Sequence, residues 1–343
     1  MLYRALLNGV ILVSLAACGA GDKEIAAPSE PVVAAESSEG RAAAQIDTAR
    51  LSEIVKVLAS DEFEGRAPGT PGGRKTVSYL RDQFRSLGLE PGGLDGTFLQ
   101  TVPLIRTQVG TPATLRFGIG EVTQTLEQQI DIEVSTVRAS ESVAIDAPVV
   151  FVGFGAYAPE RDWDDYGDID LHGKVALYLV NDPDFAAGAD EVVAGRFGNR
   201  RMTYYGRWAY KFAEAARRGA AAALVIHETE AAGYGWSVAS SSPGQNYAVV
   251  GASADAEPVM LQGWLHGEAA ASLFAAAGHD LDELRVRARS PEFAAFEIDG
   301  VTFGANLTVA VENIESSNVL ARLPGTTRPE ETLMVSSHWD AYG

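Results

Sequence analysis

The hydrophobic and polar positions of this chain fall into successive textures. Residues Ala5 to Ala17 follow Arg4 and are apolar except for Asn8, Gly9 and Ser14. Such a run is shorter than the roughly 20 residues needed to cross a hydrocarbon core about 30 Å thick, so it predicts a signal peptide over residues 1–17 rather than a membrane span. Residues 19–46 are rich in Ala, Ser, Glu, Gly and Pro and lack aromatics. They bury too little apolar surface to offset ordering entropy, which predicts a flexible tether through residues 18–46. Asp47 then stands where a helix cap would, before Leu51, Ile54, Val55 and Leu58 on one helical face. A turn at Ala67-Pro68-Gly69-Thr70-Pro71-Gly72 leads to a second predicted helix, Arg74 to Leu87, striped by Val77, Leu80, Phe84 and Leu87 and stopped by Gly88.

From about residue 110 to 300 the pattern changes to short β-type runs, among them Ala147 to Val152 and Val175 to Val180. Two helical stretches, Trp208 to Arg218 and Gly267 to Ala277, each run into a glycine, Gly219 and Gly278. The unbroken apolar run Ala220 to Ile226 reads as a strand buried on both faces. Alternation resumes over Asn306 to Asn313 and Asn318 to Leu323, and after the turn Pro324-Gly325 a last strand is predicted over Leu333 to Ser337, opening onto His338-Trp339-Asp340. The fold class is α/β, and no repeat of 20 to 50 residues is present.

Composition narrows the functional classes. The 343 residues are 46% hydrophobic and 21% charged, as in packed globular proteins. Acidic residues outnumber basic ones 46 to 27, a net charge of -19, which repels nucleic-acid phosphates and makes nucleic acid an improbable partner. Cys18 is the single cysteine, so no internal disulfide can form. Leu15-Ala16-Ala17-Cys18 resembles the lipobox of bacterial lipoproteins, which implies lipidation at Cys18 and anchoring in the cell envelope; a plain signal peptide and a secreted product are the alternative. Gly19 rather than an aspartate after the cysteine fits outer-membrane sorting.

The pair His338-x-Asp340 carries the most chemistry. Residues two apart in extended chain share a face, so a carboxylate at the second position can support an imidazole that binds metal through its other nitrogen. By spacing alone the signal is weak, and a hydrogen-bonded structural histidine is the better reading. The surrounding sequence, Ser317-Asn318-Val319-Leu320-Ala321-Arg322-Leu323-Pro324-Gly325 and then Glu331-Thr332-Leu333-Met334-Val335-Ser336-Ser337-His338-Trp339-Asp340, resembles the entry to the active site of metallopeptidase family 28, the co-catalytic di-zinc exopeptidases. Leu58-Ala59-Ser60-Asp61-Glu62-Phe63-Glu64-Gly65-Arg66-Ala67-Pro68-Gly69-Thr70-Pro71-Gly72, with Leu87 to Pro91 and Phe98 to Leu104, is similar to that family's N-terminal segment. Val152-Gly153-Phe154-Gly155, Gly173-Lys174-Val175 and Ala213 to His227 resemble the protease-associated domain often inserted in such enzymes.

The resemblance implies a zinc-dependent, aminopeptidase-like hydrolase of envelope peptides, with two zinc ions in the complete enzyme. It makes His338 a zinc ligand and Asp340 the supporting catalytic aspartate. It also implies a domain order of N-terminal helical part (47–108), inserted protease-associated domain (109–300) and first strands of a three-layer α/β/α catalytic domain (301–343). The family's other ligands and its general base follow this motif, so a chain ending at Gly343 is expected to be truncated and inactive. The competing reading is a non-catalytic envelope lipoprotein that binds peptides or a protein partner through the inserted domain.

Several other residues invite chemistry without supporting it. Glu330-Glu331 precedes the motif and reads as a solvated loop, and His172, His227, His266 and His279 match no metal spacing. Gly153-Phe154-Gly155 lacks the third glycine and following helix of a dinucleotide fingerprint, and there is no Gly-x-Ser-x-Gly elbow. Asp162 to Tyr166 reads as an acidic surface loop rather than a calcium loop. Tyr204, Tyr205, Trp208, Tyr210 and Phe212 read as helix packing rather than a peptide-binding patch.

Overall fold

The computed structural model describes residues 47–341 apart from 112 and 253–255. The predicted leader, Cys18 and the tether lie outside the described residues. The chain divides after Glu53 into two units, of which the second, residues 54–343, holds everything beyond the start of the first helix. Among the described residues no helix is long and apolar enough to cross a membrane.

Helix α1 (Thr48–Leu58) starts where the cap predicts: the Asp47 carboxylate accepts the Ala49 and Arg50 amides at 2.9 and 3.1 Å. None of its residues is buried, so its apolar stripe does not join the core. A 3-10 turn (Asp61–Arg66) leads to α2 (Pro71–Ser86), which begins three residues before the predicted Arg74. Thr70 accepts the Gly73 amide as cap, and Pro71 at the first helical position gives up an N–H that would have had no partner.

The strands follow as β1 (Glu90–Pro91), β2 (Leu99–Val109), β3 (Thr114–Ile119), β4 (Val122–Leu126), β5 (Ile132–Ser135), β6 (Ser142–Phe151), β7 (Tyr157–Ala158), β8 (Trp163–Asp164) and β9 (Val175–Leu179). After α3 (Trp208–Arg217) come β10 (Ala222–His227), the short helices α4 (Thr229–Ala232) and α5 (Trp236–Ala239), β11 (Gln245–Val249) and β12 (Leu261–His266). The chain then runs through α6 (Gly267–Ala276), α7 (Leu281–Arg287), β13 (Phe296–Val319) and β14 (Ala321–Arg322). The fold is mixed α/β.

Among the described residues ten strands form one sheet in the order β11-β2-β13-β6-β9-β10-β12-β5, with the β3–β4 hairpin paired onto β13. Strands β6, β9, β10 and β12 are parallel to one another, and the strands flanking them are antiparallel. Successive residues of the parallel strands serve opposite cores. Val175, Leu177 and Leu179 join Leu224 and Ile226 against α6 and α7, while Ala176 and Tyr178 join Ala223 and Val225 against Phe212 and Ala215 of α3. Burial on both faces explains why these runs are continuously apolar in sequence.

Strand β13 is one 24-residue element, where the alternation had suggested separate runs. It pairs with β2 over Val309 to Val319 and with β3 and β6 over its first half, with an irregularity between Glu297 and Thr302. The domain boundaries expected at 108/109 and 300/301 fall inside β2 and β13. The predicted strand Leu333 to Ser337 is not formed: among the described residues no strand follows Arg322, and Leu333 and Val335 are 90% and 89% exposed. β propensity alone does not order a strand that has no neighbour to complete its ladder.

Charge is buried where the loop between β9 and α3 folds back on the sheet. Lys211 of α3 is fully buried, and its ammonium donates to the carbonyl oxygens of Phe154, Asn181 (3.1 Å) and Tyr205 (3.2 Å). Burial lowers its pKa to about 8 against the opposing pull of the Asp182 and Asp165 carboxylates. Asp182 accepts from the Thr203 amide and hydroxyl at 2.6 and 2.7 Å, and Asp184 from the amides of Phe197, Gly198 and Asn199 at 2.9 to 3.1 Å. Residues 181–207, with no helix or strand of their own, are thus tied down by buried side chains.

Glu133 on edge strand β5 is buried as well. One carboxylate oxygen accepts from the Gly244 amide at 2.7 Å and the Gln128 amide at 3.0 Å, and the other has no partner. Burial pushes its pKa up to about 7. The folded state therefore holds this proton where the unfolded chain has released it, and stability falls as pH rises from about 4.5 through 7. Glu133→Gln, which keeps both hydrogen bonds without the charge, is expected to be more stable than wild type by about 1–3 kcal/mol near pH 8 and to lose that advantage near pH 4. Urea unfolding at the two pH values measures it; equal gains at both would refute the assignment.

Candidate active site

The turn after α1 departs from ordinary backbone geometry. Glu64 and Arg66 adopt left-handed conformations, φ 47° and 62°, that cost non-glycine residues of order 1–3 kcal/mol each. The surroundings hold them there. Phe63 is buried with its ring edge-on to Tyr79 at 5.9 Å, and the Glu64 carboxylate accepts the Gly72 amide at 3.1 Å. The following helix start leaves no room for side chains: a Cβ on Gly72 would lie 2.0 Å from the Phe63 carbonyl oxygen, and one on Gly73 2.4 Å from that of Ala67.

Arg66 reaches from this turn across 273 residues of sequence. Its Nε donates to the Trp339 carbonyl at 3.1 Å and its guanidinium also donates to the Leu58 carbonyl, while its own carbonyl accepts the Ala341 amide at 3.3 Å. The Trp339 indole donates to the Ser317 carbonyl on β13 at 3.1 Å. Residues 338–341 are therefore clasped although the residues before them, 331–337, are exposed and belong to no strand.

His338 is 85% exposed in its side chain, with Nδ1 2.9 Å from the Asp340 carbonyl oxygen and 3.7 Å from the Asp340 carboxylate. The two predicted residues are thus together, but the direct contact is to the backbone of Asp340. Beside Asp340 runs a row across three strands, Tyr247 on β11 opposite Arg106 on β2 opposite Glu312 on β13. Arg106 and Glu312 form an ion pair. Burial raises the Tyr247 phenol above its ordinary value; Asp340 and Glu312 add to the rise and Arg106 opposes it. Sequence reading gave this row no role, because only strand register brings its members together.

The remaining candidates fall as follows. Glu331 pairs with Arg328 at 2.8 Å in an exposed segment, as a solvated loop should. His227 is buried with Nε2 3.0 Å from the Tyr234 carbonyl, and burial lowers its pKa. His266 accepts the Glu268 amide through Nδ1 and caps α6. His279 packs on Phe274 and Phe296. Gly153 and Gly155 have positive φ and abut Phe293 and Tyr178, which accounts for both glycines by packing. The acidic loop is not a surface feature throughout: Trp163, Asp165 and Tyr166 are buried, Asp165 accepting from the Ala156 amide and the Trp163 indole at 2.8 Å. The aromatic set divides, Tyr210 and Phe212 being buried while Trp208 and Tyr204 are exposed along a groove of 430 Å³ that Phe212 and Arg217 also line.

Catalytic zinc takes three protein ligands and an open position. Among the described residues no three histidine, cysteine, aspartate or glutamate side chains converge, so the residues present do not by themselves complete a zinc site.

No family model matches the chain, and no curated protein matches it. Among solved structures it is similar to an aminopeptidase from Aneurinibacillus sp. strain AM-1, with 20% identity and a TM-score of 0.38 over 82% of this chain and 49% of that one. It is also similar to BSAP, a zinc aminopeptidase from Bacillus subtilis, with 14% identity and a TM-score of 0.32 over 80% of this chain and 46% of that one. The chain spans about half the length of each.

Proposed function

We propose that this protein is a zinc-dependent exopeptidase of the aminopeptidase kind that acts on peptides in the bacterial cell envelope, held there by a lipid on Cys18. His338 serves as one zinc ligand and Asp340 as its supporting aspartate, and residues 109–300 form an inserted protease-associated domain. The observation that supports this reading is the meeting of the two sequence blocks that resemble the family. The 58–72 block and the 317–340 block join through the hydrogen bond from Arg66 to the Trp339 carbonyl. One active-site region built from both blocks requires such a contact between segments so far apart in the chain.

The chain's own residues present a histidine at the surface beside the Asp340 carboxylate, whose charge is felt by Tyr247. One histidine and one aspartate leave a zinc ion short of ligands. Zinc-dependent release of N-terminal residues from aminoacyl reporters therefore needs ligands beyond these two, and it is expected to be lost in His338→Ala. A protein that binds no zinc and releases no N-terminal residue overturns the reading.

The groove along Trp208 and Tyr204 favours a second reading, a non-catalytic lipoprotein that binds peptides there. Peptide binding that Trp208→Ala abolishes, without any cleavage of the bound peptide, would select it.

A further inference from the structure

We infer that Arg66 is a positioning residue: it fixes the 338–341 segment so that neutral His338 carries its proton on Nδ1 and turns the Nε2 lone pair outward. The inference deepens the proposed function and rests on it for the use of that lone pair, but the tautomer stands on hydrogen-bond chemistry alone. Nδ1 lies 2.9 Å from the Asp340 carbonyl oxygen, which can only accept. The nitrogen facing it must therefore be the donor, and in a neutral ring the other nitrogen is then bare. The other two histidines whose ring contacts define a tautomer are opposite. His266 accepts through Nδ1, and His227 turns Nε2 to a carbonyl, so both carry the proton on Nε2.

The tautomer of His338 depends on keeping the Asp340 carbonyl under Nδ1, and no strand ladder does this. Leu333 to Ser337 are exposed and unpaired. Arg66 brackets Asp340 instead. Its Nε holds the carbonyl of the residue before, Trp339, and its carbonyl holds the amide of the residue after, Ala341. Arg66 presents both groups from a left-handed backbone, φ 62°. A second arm of the guanidinium is fixed on the Leu58 carbonyl, and Trp339 is fixed independently by the Ser317 carbonyl. Lysine, a single ammonium on a flexible stem, cannot span the Leu58 and Trp339 carbonyls as the planar fork does.

Nitrogen NMR of the imidazole rings tests this on the metal-free 343-residue protein at about pH 8.5, where histidine is neutral. The wild type is expected to show His338 with a protonated Nδ1 and a bare Nε2, the reverse of His227 and His266. In Arg66→Lys and Arg66→Gln the His338 pair of signals is expected to collapse toward the averaged pattern of a solvent-exposed ring, while the His227 and His266 signals stay in place and report an intact fold. Trp339→Phe, which removes only the indole donor to Ser317, is expected to produce part of the same collapse and serves if the Arg66 variants do not fold. A wild-type His338 protonated on Nε2, or variants that leave its tautomer unchanged with the other histidines in place, overturns the inference. Since no zinc and no turnover enter the measurement, failure of the exopeptidase reading and failure of this one are separate results.

Discussion

Lys211→Met is expected to lose about 3–5 kcal/mol of folding stability near pH 8, the range for stripping one partner from a buried charge cluster. Methionine fills the space but donates nothing, so the carbonyls of Phe154, Asn181 and Tyr205 lose their shared donor, and Asp165 and Asp182 lose the cation that faces them. Both aspartates already have raised pKa values, Asp165 to about 7, with burial the leading cause. Without the lysine they rise further, and the folded state then prefers them protonated. A carboxyl with a raised folded value costs most above that value and nothing below the unfolded one. The deficit should therefore shrink steadily from about pH 8 down to about pH 4. Urea midpoints across that span measure it, and a small deficit of the same size at every pH would show that Lys211 is a spacer rather than a counter-ion.

Phe151→Ala is expected to cost about 3–5 kcal/mol with little dependence on pH. Its ring is fully buried at the end of β6 and lies edge-on to Phe274 of α6, Phe293 and Phe296 at centroid distances of 5.2, 6.0 and 5.8 Å. Phe296 is also its partner in the β6–β13 register. Removing the ring opens a cavity between the sheet and its helical cover. Phe151→Leu, which keeps most of the volume, should recover more than half of the loss. A thermal unfolding series of the two variants decides, and an alanine variant within 1 kcal/mol of wild type would mean the helices collapse onto the sheet freely.

These two sites differ in how far the sequence discloses them. The apolar runs around Phe151 and the glycine-ended helices α3 and α6 are visible in the chain because burial on both faces of a parallel strand, and left-handed helix ends at Gly219 and Gly278, each leave a local mark. The Lys211 cluster leaves none: a lysine in mid-helix reads as solvated until the loop from Asn181 to Arg207 is seen to cover it. The same division holds at the candidate active site. His338 and Asp340 are legible as a motif, but Arg66 acquires a partner only through a left-handed turn, and Tyr247, Arg106 and Glu312 only through the alignment of three strands. The Leu333 to Ser337 run shows the converse error, since its β-type residues are real and their ladder is not.

The length of β13 constrains how this protein can change over generations. Along its second half it pairs with β2, and along its first half it lies between β3 and β6, so three neighbours read their register from one strand. Gain or loss of a single residue between Thr302 and Val319 would exchange inward and outward faces for the rest of the strand. The irregularity between Glu297 and Thr302 is the place where such a change could be absorbed without disturbing those pairings. Relatives of this protein should accordingly vary in length there and in the loops, and hold the count of residues from Thr302 to Ser317 fixed, because that count sets how far Trp339's anchor lies from the core.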